Sequence, residues 1–242
     1  MEYALKIEFE DRAVAFIDVL GFSSLVTSAA SDPNALTELQ MLVDTLSSAV
    51  PFLDQGVSKT VPVHLIPEHT YISDSIILSA PLKDDAMKNY NGLSLVVMRC
   101  IQLTHHFLKA GYLLRGGIST GKVCHNKSNI VGPAYQEAYE LEHKGSHPCI
   151  VLSESAKALW KGYGSRMCVV NEDNIAMVNG LHDYYIPGNT ERGVIEMAFN
   201  EYQALATQRI NGQLPEKAEA KWKWFYDYLA AERSEAMKWA IA

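Results

Sequence analysis

The stretch that decides the fold is AVAFIDVLGF, residues 13–22. Its first five residues, Ala13 to Ile17, are continuously apolar, which is typical of a β-strand covered on both faces. The strand ends at Asp18, and Val19-Leu20-Gly21-Phe22 then turns the chain into a helix. A strand that ends in a carboxylate and breaks through glycine into a helix can present successive backbone N–H groups to a phosphate. The sequence therefore predicts a buried strand whose end is polar and can accept an anion.

A second aspartate, Asp74, lies inside another apolar run, Tyr71-Ile72-Ser73-Asp74-Ser75-Ile76-Ile77. A buried carboxylate is costly without a partner. If the two strands are neighbours, Asp18 and Asp74 converge, and at about 4 Å they would repel by roughly 4 kcal/mol at an effective dielectric constant near 20. A divalent cation reverses that sign, and oxygen ligands favour Mg²⁺ or Mn²⁺ over zinc. The alternative is that Asp18 caps the following helix and Asp74 pairs with Arg115.

Helical and extended segments alternate around these two runs. Asp32 and Pro33 are typical of a helix start, and Pro51 is expected to end that helix. Residues 61–66 and 70–78 are expected to pair as a β-hairpin. The other predicted elements are helices over 93–110, 133–142, 190–210 and from Pro215 to the end, and strands over 112–121, 149–152 and 166–170. The glycines of 112–121 indicate a bulge or a close approach by another part of the chain.

Composition narrows the class of protein. A chain of 242 residues is long enough for one large domain, or for one domain with an appendage. With 21 basic and 28 acidic residues the net charge is −7, which argues against a nucleic-acid-binding protein. No apolar run approaches the roughly 20 residues that span a bilayer, and residues 1–12 lack the apolar core of a signal peptide. Four scattered cysteines without a Cys-x-x-Cys pair favour reduced thiols, so we expect a cytoplasmic protein with no membrane or nucleic-acid partner.

Four motifs carry a resemblance to a known family. They are Phe16-Ile17-Asp18-Val19-Leu20-Gly21-Phe22, Ser73-Asp74-Ser75, Arg115-Gly116-Gly117-Ile118-Ser119-Thr120-Gly121 and Gly132-Pro133-Ala134-Tyr135. In this order and spacing, over roughly residues 10–160, they resemble a class III nucleotidyl cyclase domain. The resemblance implies an α+β fold with a ferredoxin-like core, a mostly antiparallel sheet flanked by helices. We assign this domain to residues 1–188, and a helical extension, packed on it or at a dimer interface, to 189–242.

The resemblance also implies a site and a reaction. The two metal-binding aspartates fall on Asp18 and Asp74, and the metal-binding backbone carbonyl falls on Val19. Nucleotide contacts are expected from Phe16, Val19, Leu20, Gly21, Phe22, Thr70 and Asn129, with the amides of Leu20, Gly21 and Phe22 cradling the triphosphate. Two Mn²⁺ or Mg²⁺ ions would assist attack of the ribose 3′-hydroxyl on the α-phosphate, with release of pyrophosphate. The active sites of such enzymes lie at the interface of a head-to-tail homodimer.

Four positions depart from the purine cyclases. The base-reading lysine and aspartate fall on Thr70 and Asn129, and the ribose-orienting asparagine and transition-state arginine fall on Gln136 and Glu140. Because both metal aspartates remain, we infer a changed substrate rather than lost activity. Thr70 and Asn129 can each donate and accept hydrogen bonds, so they could serve a pyrimidine edge.

This combination, with Glu-Ala-Tyr-Glu-Leu-Glu after the fourth motif, resembles the bacterial pyrimidine cyclases of Pycsar antiphage defence. Those enzymes make cyclic UMP or cyclic CMP with Mn²⁺, and the product activates a separate effector protein. The expectation is therefore a uridylate cyclase that converts UTP to cyclic UMP. The alternatives are a cytidylate cyclase, a purine cyclase that reads its base with other residues, and a catalytically silent nucleotide-binding regulatory module.

Arg115 is the candidate to replace the missing arginine in neutralising the triphosphate or the transition state. The alternative is a structural salt bridge from Arg115 to Glu140 or Asp74. The run from Gly116 to Lys122 matches the start of a P-loop, but Val123 stands where that motif needs Ser or Thr. We therefore expect a strand at this position rather than a P-loop.

Overall fold

The structure is a computed structural model that describes residues 7–126, 129–171, 173–188 and 192–239. In it, the first half of the chain folds as a split β-α-β unit. The strands of the sheet are β1 (Glu10–Val19), β2 (Glu68–Ile72), β3 (Ser75–Pro81), β4 (Leu114–Asn126), β5 (Asn129–Val131), β6 (Ile150–Leu152), β7 (Cys168–Val170) and β8 (Ala176–Val178). The α-helices are α1 (Phe22–Ala29), α2 (Pro33–Asp54), α3 (Gly92–Lys109), α4 (Pro133–Lys144), α5 (Glu154–Leu159), α6 (Arg192–Asn211) and α7 (Glu216–Trp239).

The sheet has the strand order of a ferredoxin-like core. Its first four strands run β2-β3-β1-β4, and every neighbouring pair among them is antiparallel. Beyond β4 the sheet continues through β6, which is parallel to β4, and then β8 and β7, while β5 pairs with the end of β4. The predicted α+β fold with a mostly antiparallel sheet is therefore confirmed by the topology.

The two faces of β1 belong to different layers. Ala13, Ala15 and Ile17 pack with α2 and α3, whereas Val14 and Phe16 pack toward α4. Because side chains alternate along a strand, Asp18 lies on the α4 face. The predicted close approach at the glycines of β4 is also confirmed, since a Cβ on Gly117 would lie 2.4 Å from the carbonyl oxygen of Ala138 on α4.

The predicted hairpin has different bounds in the structure. Residues 61–66 contain a short 3₁₀ turn, Val63–Leu65, rather than a strand. The hairpin lies within the second predicted strand: β2 and β3 flank Ser73 and Asp74, and the backbone of Ser73 has a φ of 58°. A two-residue hairpin loop favours a positive φ at its first residue. Asp74 thus lies in a turn and not inside a strand, because the polar pair Ser73-Asp74 interrupts the apolar run.

Most helix limits follow the sequence, with one correction. Asp32 caps α2 by accepting a hydrogen bond from the amide of Asn34, as expected. Pro51, however, lies inside this helix, which continues to Asp54. A proline removes only one backbone hydrogen bond, so it need not end a helix that is packed along its length.

The C-terminal helices form a hairpin against the end of the sheet. Buried residues of α6 and α7, among them Phe199, Trp222 and Phe225, form one apolar cluster with Leu108 and Leu113 next to β4. The predicted helix start near residue 190 and the first six residues of the chain lie outside the described residues. Within the described ranges, no helix combines the length and the apolar character needed to cross a membrane.

Candidate active site

The two aspartates meet at one end of the sheet. Asp18 is directly opposite Ser75 across the β1–β3 pair, and the amide of Val19 donates a hydrogen bond to the carbonyl of Asp74 at 3.2 Å. The N–H and C=O groups of one residue in an antiparallel pair point to the same neighbour, so the Val19 carbonyl also faces this turn. The strand end and the hairpin turn therefore place two carboxylates and one backbone carbonyl together.

These groups line one open cleft with a volume of about 420 Å³. That volume lies in the range of small-molecule sites. Its lining residues are Phe16, Asp18, Val19, Leu20, Gly21, Phe22, Ser23, Ser24, Asp74, Ser75, Arg115, Tyr139, Glu142, His143 and Lys221. Every residue of the first motif that is predicted to bind metal or nucleotide lines this cleft, and so do Asp74 and Arg115. Ile17, for which no such role is predicted, does not.

The turn after β1 supplies unpaired amides to the cleft. Gly21 has a φ of 93°, and nothing lies within 4 Å of the position that a Cβ on it would occupy. The first hydrogen bond of α1 runs from the Leu25 amide to the Gly21 carbonyl, and no side chain caps the helix. The amides of residues 22–24 therefore have no partner inside the helix. The amide of Leu20, which the resemblance assigns to the triphosphate, instead donates to the Leu113 carbonyl at 3.0 Å, because Leu20 still pairs with the chain next to β4. Open space over a glycine beside free N–H groups is suited to an anion.

Arg115 is held between two acidic side chains. It lies opposite Asp18 in the β1–β4 register, and its Nε and one terminal nitrogen each lie 3.2 Å from Asp18 Oδ2. Its Nε is also 2.6 Å from Oε1 of Glu142 on α4, at an angle that does not make a hydrogen bond. Arg115 therefore does form a salt bridge, as the alternative expected. Its partners are Asp18 and Glu142, however, because β-sheet register and the seating of α4 bring these two closest.

Negative charge exceeds positive charge at this end of the sheet. Glu142 is only 2% exposed and Asp18 8% exposed. Burial, and then the nearby carboxylates of Asp74 and Glu142, raise the pKa of Asp18 to about 7, although Arg115 opposes the shift. The guanidinium of Arg115 and the ammonium of Lys221, which also lines the cleft, do not offset the three carboxylates of Asp18, Asp74 and Glu142, so the cleft favours a further cation.

The donor set fits a hard divalent ion. Asp18, Asp74 and the Val19 carbonyl offer oxygen atoms only, which suits Mg²⁺ or Mn²⁺. The described residues contain no group of three or more His, Cys, Asp or Glu side chains placed to hold a metal by themselves. Any ion at this site would therefore complete its coordination with ligand or water oxygens.

Two predicted residues lie elsewhere in this chain. Thr70 is in the middle of β2, where its hydroxyl is 2.8 Å from Nε2 of His125, and Asn129 is exposed on β5. Neither lines the cleft. Gln136 and Glu140 are exposed on α4, and Glu140 pairs with Lys144. One copy of the chain does not bring these four positions to the two aspartates.

Sequence reasoning missed several groups of the cleft. Glu142 and His143 follow the fourth motif on α4, and the motif spacing gives no sign that they turn toward Asp18. Lys221 lies on α7, outside the stretch that resembles a family. Burial and the charge of Arg115 lower the pKa of Lys221, whereas Asp18 and Glu142 oppose that shift. Helical periodicity alone could have placed Lys221 near the buried face of α7, but not in this cleft.

The P-loop-like run, Gly116 to Lys122, belongs to strand β4, as expected.

Phe16 forms one wall of the cleft, where its ring and the Tyr139 ring pack edge to face with centroids 5.1 Å apart. The four cysteines are free, and two of them, Cys100 and Cys168, are fully buried.

The solved structures similar to this chain are cyclase-related domains with low sequence identity. The catalytic core of a rhodopsin-guanylyl cyclase with converted specificity, in complex with ATPαS, is 16% identical with a TM-score of 0.47 and covers 64% of this chain and 82% of its own. A monomeric guanylyl cyclase domain of the RhoGC fusion protein from the aquatic fungus Blastocladiella emersonii is 14% identical with a TM-score of 0.48, covering 72% and 96%. A class III adenylyl cyclase-like ATP-binding protein from Pseudomonas aeruginosa is 10% identical with a TM-score of 0.45, covering 88% and 49%. No family model and no curated protein matches the chain.

Proposed function

We propose that this protein is a metal-dependent nucleotide cyclase that converts UTP to 3′,5′-cyclic UMP and pyrophosphate. The observation that carries the proposal is the meeting of Asp18 and Asp74 beside the uncapped turn at Gly21. Carboxylates for divalent cations and amides for phosphate lie within one cleft, which is the combination that a nucleoside triphosphate with its cations requires.

The chain's own groups divide the work. Asp18, Asp74 and the Val19 carbonyl would hold two Mn²⁺ or Mg²⁺ ions, which when bound lower the pKa of the ribose 3′-hydroxyl and offset phosphate charge. The amides of the Gly21 turn bind the triphosphate. Arg115, kept in place by Glu142, offsets negative charge that develops as the bond from the 3′-oxygen to the α-phosphorus forms and the bond to pyrophosphate breaks. The proton of the 3′-hydroxyl leaves to solvent.

Because nucleophile and electrophile belong to one molecule, the main task of the site is to fix a ring-closing pose. Well-oriented intramolecular attack is worth about 7–11 kcal/mol of barrier. An open cleft with one carboxylate at a strand end, Asp18, and one in the adjoining hairpin turn, Asp74, is suited to holding the phosphates while the ribose is positioned by other groups.

Those other groups are proposed to come from a second copy of the chain. Thr70 and Asn129 lie away from the cleft of their own chain, and Asn129 is exposed. A head-to-tail homodimer would bring them over the partner cleft, where they would contact the base. Two equivalent active sites would then lie between the protomers.

Thr70 takes part in a hydrogen-bond network that reaches Arg12. Arg12 can only donate, and its Nε donates to Ser79 Oγ at 2.9 Å. Ser79 Oγ is 2.8 Å from Nδ1 of His125, whose pKa is lowered to about 4 by burial, then by Arg12 and His69, so the ring is neutral. His125 Nε2 is 2.8 Å from the Thr70 hydroxyl, and either ring tautomer is compatible with these contacts, because a hydroxyl oxygen can accept two hydrogen bonds.

The Thr70 hydroxyl can therefore either donate to a base or accept from one. Uracil offers two carbonyl acceptors and an N3–H donor, and cytosine offers a carbonyl, the N3 acceptor and an amino donor, so this contact admits both bases. The choice of UTP rests on the resemblance to the pyrimidine cyclases, and cytidylate cyclase activity stays the second candidate. We further propose that the product serves as a second messenger in Pycsar-type antiphage defence and activates a separate effector protein in the cytoplasm.

The deciding experiment is turnover. Purified protein is incubated with each of the four ribonucleoside triphosphates and Mn²⁺, and the products are separated by chromatography. Cyclic UMP is the expected product, and cyclic CMP would move the substrate to CTP. Cyclic AMP or cyclic GMP would make it a purine cyclase. Triphosphate binding without any cyclic product would contradict the enzyme proposal in favour of a silent regulatory module.

A further inference from the structure

The C-terminal hairpin places a cation at the edge of the cleft. Lys221 of α7 lines the cleft together with Asp18, Asp74 and the Gly21 turn. A second pocket behind the turn is lined by Leu20, Gly21 and Ser24, and Lys221 borders that pocket too. The Lys221 side chain therefore lies beside the turn that offers unpaired amides.

The position of Lys221 is fixed by the packing of α7. Trp222, Phe225 and Leu229 are nearly fully buried against the core. Further along the helix, Glu232 accepts hydrogen bonds from Arg166 at 2.6 Å and from Asn179 at 2.8 Å. A buried apolar face and a buried polar contact both fix the rotation of α7, so the backbone of Lys221 stays at the cleft edge as long as the helix is docked.

Lys221 has no carboxylate partner among the residues that the structure describes. Two other lysines of α7 do: Lys223 is 2.5 Å from Glu219, and Lys238 pairs with Glu235. Lys221 lies near Asp18 and Glu142, but Arg115 already occupies the space between those two. A half-buried ammonium group without a counter-ion, next to free amides, is arranged to meet an anion.

We propose that Lys221 binds phosphate oxygens of the ligand in the Asp18–Asp74 cleft, so that α7 forms part of the binding site rather than a separate appendage. This inference rests on the proposed function for the identity of the ligand, a nucleoside triphosphate. Arg115 and Lys221, which both line this cleft, would share the neutralisation of the polyphosphate charge.

The test uses inorganic tripolyphosphate with Mn²⁺ as the probe, titrated calorimetrically into the full-length chain. The probe has no base or ribose, so its affinity reports the phosphate subsite alone. The Lys221→Met variant keeps the length of the side chain and removes its charge, and loss of one charge-assisted hydrogen bond is expected to weaken binding about 10- to 100-fold. Lys221→Arg should restore affinity to within about threefold. Lys223→Met, on the same helix but exposed, is the matched control and should bind as the wild type does.

Three results would overturn the assignment. One is unchanged affinity in Lys221→Met with an unchanged melting temperature. Another is tighter binding in that variant, which would mean that the lysine instead blocks the cleft. The third is a wild-type protein that does not bind the probe. Turnover is scored separately: Lys221-dependent binding of tripolyphosphate without cyclic product would refute the proposed function alone, and cyclic product with Lys221-independent binding and KM would refute this inference alone.

Discussion

The α4 face of the sheet carries a polar cluster at each end of β1, and the two differ in how far their carboxylates are buried. At the N-terminal end of β1, Arg12 is 3% exposed and contacts Glu10 at 2.7 Å, Glu68 at 3.0 Å and Ser79. His125 and Thr70 extend that network. The side chains of Glu10 and Glu68 are 60% and 43% exposed, so water solvates both carboxylates at this end, which we call the paired end.

At the other end, Arg115 faces Asp18 and Glu142 with Asp74 close by, and the cleft opens there. Both clusters place one arginine among acidic side chains on neighbouring strands. Both clusters have more carboxylates than arginines, but at the second end the side chains of Asp18 and Glu142 are only 12% and 1% exposed, and open space lies next to them. The comparison teaches that an arginine among acidic side chains by itself says little about function, whereas one whose carboxylates are buried beside open volume and free amides indicates a ligand.

The largest expected effect is on activity, which should depend on the carboxylates of the cleft and not on those at the paired end. Asp18→Asn and Asp74→Asn should each lower the rate of cyclic nucleotide formation by about 1,000-fold, or about 4 kcal/mol of transition-state stabilisation, because each removes a metal-binding charge. The measurement is product formation per folded molecule. Glu10→Gln, an acidic residue of the paired end, is the control and should retain activity within about twofold. Wild-type rates in both aspartate variants would contradict the metal assignment.

The next largest effect concerns stability against pH at the paired end. The pKa of His125 is lowered to about 4 in the folded state, below the ordinary value of 6.5, so the folded protein resists protonation. As pH falls from about 7 to about 4, the unfolded state binds a proton that the folded state does not, and the free energy of unfolding decreases by at most about 3 kcal/mol. The contribution of neutral His125 to the free energy of unfolding is present above about pH 6.5 and is lost progressively between pH 6.5 and about 4.

Urea unfolding at pH 7 and pH 5 measures this effect. His125→Asn should show a smaller loss of stability between the two pH values than the wild type. His64→Asn, at a histidine with an exposed side chain, should keep the wild-type difference. An identical pH dependence of stability in the wild type and in His125→Asn would show that the pKa of His125 is not lowered in the folded protein.

A third prediction compares the replacement of Arg12 at the paired end with the replacement of Arg115 at the cleft. Arg12→Met should lower the free energy of unfolding by about 2 kcal/mol, because Ser79 loses a buried donor and two carboxylates lose their partner. In the molecules that stay folded, any loss of activity should appear in KM for UTP and not in kcat, because Arg12 reaches Thr70, the proposed base contact, only through Ser79 and His125. Arg115→Met should lower activity at least tenfold, since the proposed transition-state cation is lost. Thermal melts and turnover together measure the contrast, and the reverse pattern would exchange the roles assigned to the two clusters.

The smallest effect tests the open turn. Gly21→Ala should cost about 1 kcal/mol of stability, because a non-glycine residue at a φ of 93° is strained although space is free around it. Gly164→Ala is the matched control, since that glycine also has free space but no positive φ. Equal melting temperatures for Gly21→Ala and the wild type would remove the argument that the turn is held in this conformation for its amides.

Local patterns account for much of what was predicted. The apolar run of β1 and the Asp32-Pro33 helix start are short-range signals, because hydrogen bonding and periodicity act between near neighbours. The hairpin limits were wrong because an apolar run does not show where a two-residue turn will interrupt it. The position of Asp74 in that turn depends on which residues of β2 and β3 pair.

The sequence by itself determined the α+β class, the buried strand that ends in Asp18, and the candidate pairing of Asp18 with Asp74. Only the tertiary structure decided that Glu142 takes the far side of Arg115, that His125 reaches Thr70, and that Lys221 borders the cleft. Helix and strand formation depend on contacts a few residues apart, which a sequence displays. Ion partners depend on sheet register and on the docking of distant helices, and these are fixed only when the whole core packs.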